Sequence, residues 1–282
     1  MPSWVTTPRA QALEDVAFLS GAALTHLHLV LEHESAPTPL LRGRLALGAA
    51  EACVTFSGRP ERAGDLRDEV TLLRVGDQAG PAGQIYQMWQ RAVERKVSIK
   101  SLCRALPHFD PEQIAVWLDA DDAGQGGPVG RAGLVLEAVL IDAPRSETAA
   151  LIMADAALAQ ALDWEHVVPL LAKGLTRRDL RKTEDDLRLA CHRALVASSI
   201  EAVRLAGDFA RRTARLRAVA PKLRAKGSDA AVEMFLTQDA VAPTALTSLG
   251  SDRAARRFCE RLVELGVARE LTGRETFRLY GI

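Results

Sequence analysis

Residues 251–282, SDRAARRFCERLVELGVARELTGRETFRLYGI, hold the pattern that most restricts what this chain can fold into. Ala255, Phe258, Leu262 and Leu265 fall at i, i+3, i+7 and i+10, which makes one apolar stripe on a helix. Ser251 is placed to cap that helix, and Asp252 complements the positive end of its dipole. Gly266 stands where a left-handed C-cap belongs. VARELT, the turn TGRE and TFRLYGI then predict a two-stranded hairpin. Arg274 is expected at its tip, Phe277 and Leu279 as anchors of the last strand, and Tyr280, in alternation with them, outward or at an interface. Upstream, Ser228 would cap a helix to Leu236 with Val232, Phe235 and Leu236 apolar, and Pro243 to Leu249 predict a second, short helix. Helix, helix, turn, helix and hairpin is the order of a winged helix-turn-helix.

The first 225 residues have a different texture, a series of helical patterns punctuated by Pro and Gly. Apolar residues make up 48% of the chain and aromatic residues 5%, with Ala and Leu prominent, a mix that suits packed helices better than sheets. Leu134 to Ile141 is expected as a helix, and two long helices are expected across Glu184 to Ser198 and Ile200 to Ala218. DADDAGQGGPVGRAG, from residue 119, is the most loop-like internal segment. The expected architecture is therefore mainly α: a multi-helical domain over residues 1–225 and a winged helix-turn-helix over residues 226–282. Charges interrupt every apolar run well before membrane-spanning length, and the N-terminus lacks the basic start and apolar core of a secretory signal. Cys53, Cys103, Cys191 and Cys259 show no C-x-x-C spacing and are expected as reduced, mostly buried thiols, which points to the cytoplasm.

Net charge is zero, but its distribution is uneven. Residues 1–172 carry 14 basic against 22 acidic side chains, residues 173–226 carry 15 against 6, and residues 227–282 carry 7 against 8. Such asymmetry predicts a localised basic surface. It would meet an anionic partner, or else be neutralised by the acidic half within the fold or across a dimer. Between Arg204 and Lys226 eight Lys or Arg face a single acid, Asp208.

In the winged-helix reading, Ser251 to Leu265 is the recognition helix, and its apolar stripe leaves Arg253, Arg256, Arg257 and Arg261 outside. Arginine suits bidentate contact to guanine and to phosphate. Arg274 at the hairpin tip and Arg278 on the last strand would reach the minor groove or backbone, and Arg211, Arg212 and Arg215 would clamp phosphates. Duplex DNA is the expected partner, with a homodimer supplying paired half-sites, in a regulatory protein of the transcriptional kind. The alternative is a protein-interaction or dimerisation module, which the module's own slight negative charge favours.

No catalytic constellation, cofactor site or metal site emerges. The Gly-rich segment lacks the G-K-[ST] of a phosphate loop, and at Ala123 and Gly130 it lacks the ligands of a calcium loop. His26, His28 and His33 do not share one helical face, and His108, His166 and His192 stand without a nucleophile at motif spacing. Trp89, Trp117 and Trp164 are expected in the core.

The end of the chain is similar to the C-terminal winged helix of Fic-type proteins, through Leu262 to Gly266, Arg269 to Arg274 and Phe277. The Fic catalytic motif H-x-F-x-[DE]-G-N-[GK]-R is absent, since PHFDPEQ from Pro107 shares only its His and Phe, so that activity does not carry over. Over nearly its whole length the chain resembles the bacterial family called domain of unknown function 1403. The strings that carry the likeness are FLSGAAL, RGRLALGAA, LRDEVTLLRVGDQAGPAG, RLRAVAPKLRAKG and RELTGRETFRLYGI. The resemblance implies a helical domain joined to a winged helix and brings no catalytic residue with it.

Overall fold

The computed structural model describes residues 1–6, 12–33, 37–74, 76–120, 127–223, 225–274 and 276–282. Residues 121–126 of the Gly-rich segment (Ala123 among them), Arg224 of the basic stretch and Glu275 of the TGRE turn lie outside the described residues. The chain is mainly helical: α1 Ser3–Thr6, α2 Leu13–Leu31, α3 Thr38–Phe56, α4 Ala63–Thr71, α5 Pro81–Glu94, α6 Ile99–Ala105 and α7 Pro111–Leu118. There follow α8 Gly127–Asp142, α9 Glu147–Ala161, α10 Leu171–Gly174, α11 Glu184–Val219, α12 Ser228–Thr237 and α13 Asp252–Glu264. Two strands close the chain, β1 Arg269–Glu270 and β2 Tyr280–Gly281.

The centre of the molecule is α9, ETAALIMADAALAQA, whose residues from Ala149 to Ala159 are all buried. A helix apolar all round has no solvent face to offer, so its neighbours must enclose it. Here α8 pairs with it, and α3, α5, α7 and α10 cover the rest. Its alanines let those helices approach closely, and Trp89 and Trp117 fill the larger gaps with no more than 1% exposure. α11 closes the body by packing on α2, α8, α10 and α3. Gly174 lets α10 approach α11 closely: a Cβ there would lie 2.6 Å from Cα of Ala194 on α11.

α11 is one helix of 36 residues where the sequence predicts two. Neither Gly nor Pro stands between Ser198 and Ile200, so no residue forces a break. Glu184, Asp185 and Asp186 occupy its first turn and Arg217 its last, in the sense the helix dipole favours.

In the C-terminal segment Ser251 Oγ accepts from the Ala254 backbone N at 3.3 Å, the cap expected of it, and Gly266 takes φ +65°. Ser228 is the first helical residue rather than the cap; Gly227 at φ +82° precedes it, and Ser228 Oγ donates to the Leu223 carbonyl at 3.0 Å. Pro243–Ala245 and Thr247–Leu249 form two 3₁₀ turns in place of the expected α-helix. β1 and β2 are antiparallel, with Arg269 opposite Gly281 and Glu270 opposite Tyr280. Val241 bridges Tyr280 from the other side, its N donating to Tyr280 O at 2.8 Å and its carbonyl receiving the reciprocal bond at 2.9 Å.

That third partner corrects two expectations. Tyr280 lies between two backbone neighbours and is buried rather than outward. Phe277 adopts φ +55° and stands 66% exposed, while Leu279 alone anchors the strand. Strict alternation holds only where the backbone is extended, and the chain before Leu279 is not.

Candidate functional site

α13 presents two faces. Ala255, Phe258, Cys259 and Leu262 are buried, and Arg253, Arg256, Arg257 and Arg261 are exposed. Arg261 is tied to Glu264 at 3.0 Å, whereas Arg253, Arg256 and Arg257 make no ion pair among the described residues. Burial pushes the Cys259 thiol up to about 12, so it is an inert part of the packed face.

The turn between β1 and β2 is organised by Glu270. Its Oε1 accepts from the backbone N of Thr272 at 2.9 Å and of Gly273 at 2.8 Å, and also from the Thr272 hydroxyl. The Thr272 hydroxyl, ahead of the backbone donors, holds this carboxyl below its ordinary pKa. Arg274, expected at the tip, reaches across to Asp68 on α4 at 2.9 Å, and Arg278 Nε donates to the Arg274 carbonyl at 2.8 Å. Between α13 and this turn lies a mainly apolar hollow of about 510 Å³, bounded by Arg256, Glu260, Phe277 and Arg278. Thus Arg256 and Arg278 border one hollow and Arg274 turns to Asp68, while Arg253, Arg257 and Arg261 border no hollow among those described.

The basic stretch of α11 is solvent-facing. Arg204, Arg211, Arg215, Arg217, Lys222 and Lys226 are exposed and Arg212 is half-buried. Of the described basic residues there, only Arg211 has an ion pair, with Asp208 one turn away. Arg212 and Arg215 line a second hollow of about 250 Å³ together with Gly266 to Arg269 and Ile282. The α11 basic face therefore adjoins the start of β1 and the end of the chain.

Several arrangements were not legible in the sequence. Asp239, in the loop after α12, is buried and forms ion pairs with Arg44 of α3 and, at 3.6 Å, with Arg67 of α4. Arg44 also lies 5.2 Å over the Phe209 ring of α11. In the body, Ser20 Oγ sits 2.7 Å from His192 Nδ1, and Trp164 Nε1 donates to His28 Nδ1 at 2.9 Å; both histidines border a hollow of about 560 Å³. Burial, then Arg188, lowers the His192 pKa. Ser20 also donates to the Ala17 carbonyl of its own helix at 2.9 Å, and no carboxylate contacts His192 among the described residues, so the pair lacks the third group that orients a base. These contacts join residues more than a hundred positions apart, and only the fold reveals them. The cysteines are unpaired, as expected, and no cluster able to hold a metal ion occurs among the described residues. No helix among them is long and apolar enough to cross a membrane.

The family described as a protein of unknown function, DUF1403, matches residues 1–282. The chain belongs to that family. No curated protein matches it. Membership in DUF1403 carries no activity with it.

Proposed function

We propose that this DUF1403 protein is a DNA-binding regulator, with a helical body over residues 1–225 and a winged helix-turn-helix over residues 226–282. The observation that carries the reading is α13: one face packed, the other bearing Arg253, Arg256 and Arg257 exposed and without ion partners among the described residues. Three arginines without ion partners on one helix face are suited to phosphate and to guanine edges, and they share that face with the exposed acids Asp252, Glu260 and Glu264. The bridge of Val241 to Tyr280 supports it further, because it places a strand residue from between α12 and α13 beside the terminal hairpin. That is the chain order of a winged helix, to which the similarity with Fic-type tails also points. Arg278 would accompany α13 from the wing. Arg274 would do so only by exchanging Asp68 for phosphate. Arg211, Arg212 and Arg215 would hold the backbone nearby, and a homodimer would double the contact.

Fluorescence anisotropy on a duplex pool across a salt series tests this. Affinity should fall steeply with salt, and changing Arg211, Arg212 and Arg215 to Ala should flatten the slope by about one unit for each phosphate no longer neutralised. Changing Arg253, Arg256 or Arg257 should instead relax sequence preference, by about 1–3 kcal/mol at the affected base pair. Absence of binding at low salt would sink the reading and leave docking to another protein, for which exposed Phe277 and its hollow are the natural surface.

A further inference from the structure

Arginines gather in a second place, away from the outer face of α13. It lies in the seam where the body meets the C-terminal segment. Arg44 comes from α3, Arg67 from α4, Arg212 and Arg215 from α11, and Arg269 from β1. Asp239 is the carboxylate among them, only 5% exposed on its side chain, against 20% for Arg44 and 14% for Arg67. Asp68 is near Arg67 as well, but it is engaged by Arg274. Counting Arg274 and Asp68 as a neutral pair, and granting the α-carboxylate of Ile282 to the hollow it borders, the arginines still outnumber the anions. Arg269 registers this excess: its guanidinium is pushed below its ordinary pKa by partial burial first, and then by Arg212, Arg44 and Arg67.

The hydrogen bonding is incomplete in the same place. Arg44 Nη2 and Arg67 Nε are buried and have no partner among the described residues, and Asp239 Oδ2 has none either. The Arg67 Nε to Asp239 Oδ2 separation of 3.6 Å is an ion pair by proximity but too long for a hydrogen bond. The unused donors belong to Arg44 and Arg67, while half-buried Arg212 and exposed Arg215 and Arg269 line the adjoining hollow; guanidinium groups in such excess suit an anion as the missing component. The open end of the seam, about 250 Å³ between Arg212, Arg215 and Arg269, admits a phosphate group with a small substituent.

We propose that this seam binds a phosphate-class oxyanion carried by a small molecule. The proposal goes beyond the DNA reading and does not rest on it. Since its arginines come from both sides of the seam, a bound dianion would tie the C-terminal segment to the body.

Calorimetric titration of the full chain with pyrophosphate, against sodium chloride at equal ionic strength, is the test, with thermal unfolding as a second readout. Saturable binding and a rise in Tm with pyrophosphate alone are expected. Arg269→Gln and Arg212→Ala should each weaken pyrophosphate about tenfold or more, the loss of a charge-assisted hydrogen bond. Their unliganded Tm should be unchanged or higher, because like-charge repulsion falls; a merely structural role would lower it. Arg269→Gln stands outside the arginines assigned to duplex, so its duplex affinity should be unchanged. Pyrophosphate binding no stronger than chloride, or full affinity in both variants, would overturn the proposal. So would a seam that takes up only duplex DNA, with Arg269→Gln weakening it. Saturable pyrophosphate binding without any duplex binding would uphold the seam and sink the DNA reading instead.

Discussion

The helical body and the C-terminal segment solve opposite problems with similar lengths of helix. In the body, α9 buries every residue from Ala149 to Ala159, and even the carboxyl group of Asp155 goes inside with it. Asp155 accepts from the backbone N of Leu170 at 3.1 Å and of Leu171 at 3.2 Å, satisfying donors at the start of α10. In the C-terminal segment the regular strands are two residues each, two 3₁₀ turns replace a helix, and the charges of α13 point outward. The body fixes a shape, and the segment leaves arginines uncompensated on top of it. Uncompensated charge serves stability poorly, so it is where a partner is best sought.

The largest effect should come from asking whether the two regions are thermodynamically separate. Phe235 of α12 is fully buried, in a hydrophobic core that runs without interruption from α2 to Ile282. All four tryptophans, the last being Trp164, lie in the body, so tryptophan fluorescence reports the body alone. Phe235→Ala should cost about 3–5 kcal/mol and shift the tryptophan-detected urea midpoint, because the shared core and the Arg44–Asp239 and Arg274–Asp68 pairs couple the regions. An unmoved tryptophan midpoint, with helicity lost separately, would break the comparison into two independent folding units.

The same contrast explains what the sequence could convey. Periodicity reports which face of an element is apolar, so the α13 stripe, the Ser251 cap and the buried tryptophans were all legible. Tyr280 and Phe277 exchanged roles because Val241, far off in the chain, takes the second edge of β2. α11 runs on through the predicted junction because Ser198 and Ser199 are buried within the helix by its neighbours, which local sequence does not report. Arg44, Arg67, Asp239 and Arg269 carry no mutual signal, since each sits in an unremarkable local pattern and they meet only through tertiary folding. Of the candidate site, the α13 face could be read directly, and the seam could not.

A smaller effect should sharpen the contrast through pH. Burial raises the Asp155 carboxyl to about 8 against its two backbone donors, and no cation among the described residues offsets it. Cys53 and Cys191, which feel its charge, are pushed up by burial to about 12 and remain thiols. Because the folded state then holds a proton that the unfolded chain releases near its ordinary value of about 4, this contribution is complete below that value and is lost as pH rises towards about 8. Asp155→Asn should therefore be more stable than the parent above pH 8 in denaturant titrations and similar or weaker near pH 5. Asp155→Ala should lose about 1–3 kcal/mol near pH 5 by leaving backbone donors unpaired. An Asn variant less stable at every pH would mean that Asp155 is held as a carboxylate, and that the body compensates buried charge as the seam does not.

The smallest effect belongs to the cap of α13. Ser251 is exposed and its single bond to the Ala254 N is long, at 3.3 Å, so water can replace much of what it supplies. Ser251→Ala should cost about 0.5–1 kcal/mol, the low end for cap removal. The loss should be local, seen as faster hydrogen exchange at the first turn of α13 with the tryptophan-detected midpoint nearly unmoved. If α13 holds DNA, fraying that turn should weaken duplex binding through Arg253 while leaving pyrophosphate binding at the seam intact. A cost exceeding that of Asp155→Ala would reverse this ranking, because the exposed cap would then support the fold more than the buried carboxyl at the centre of the body.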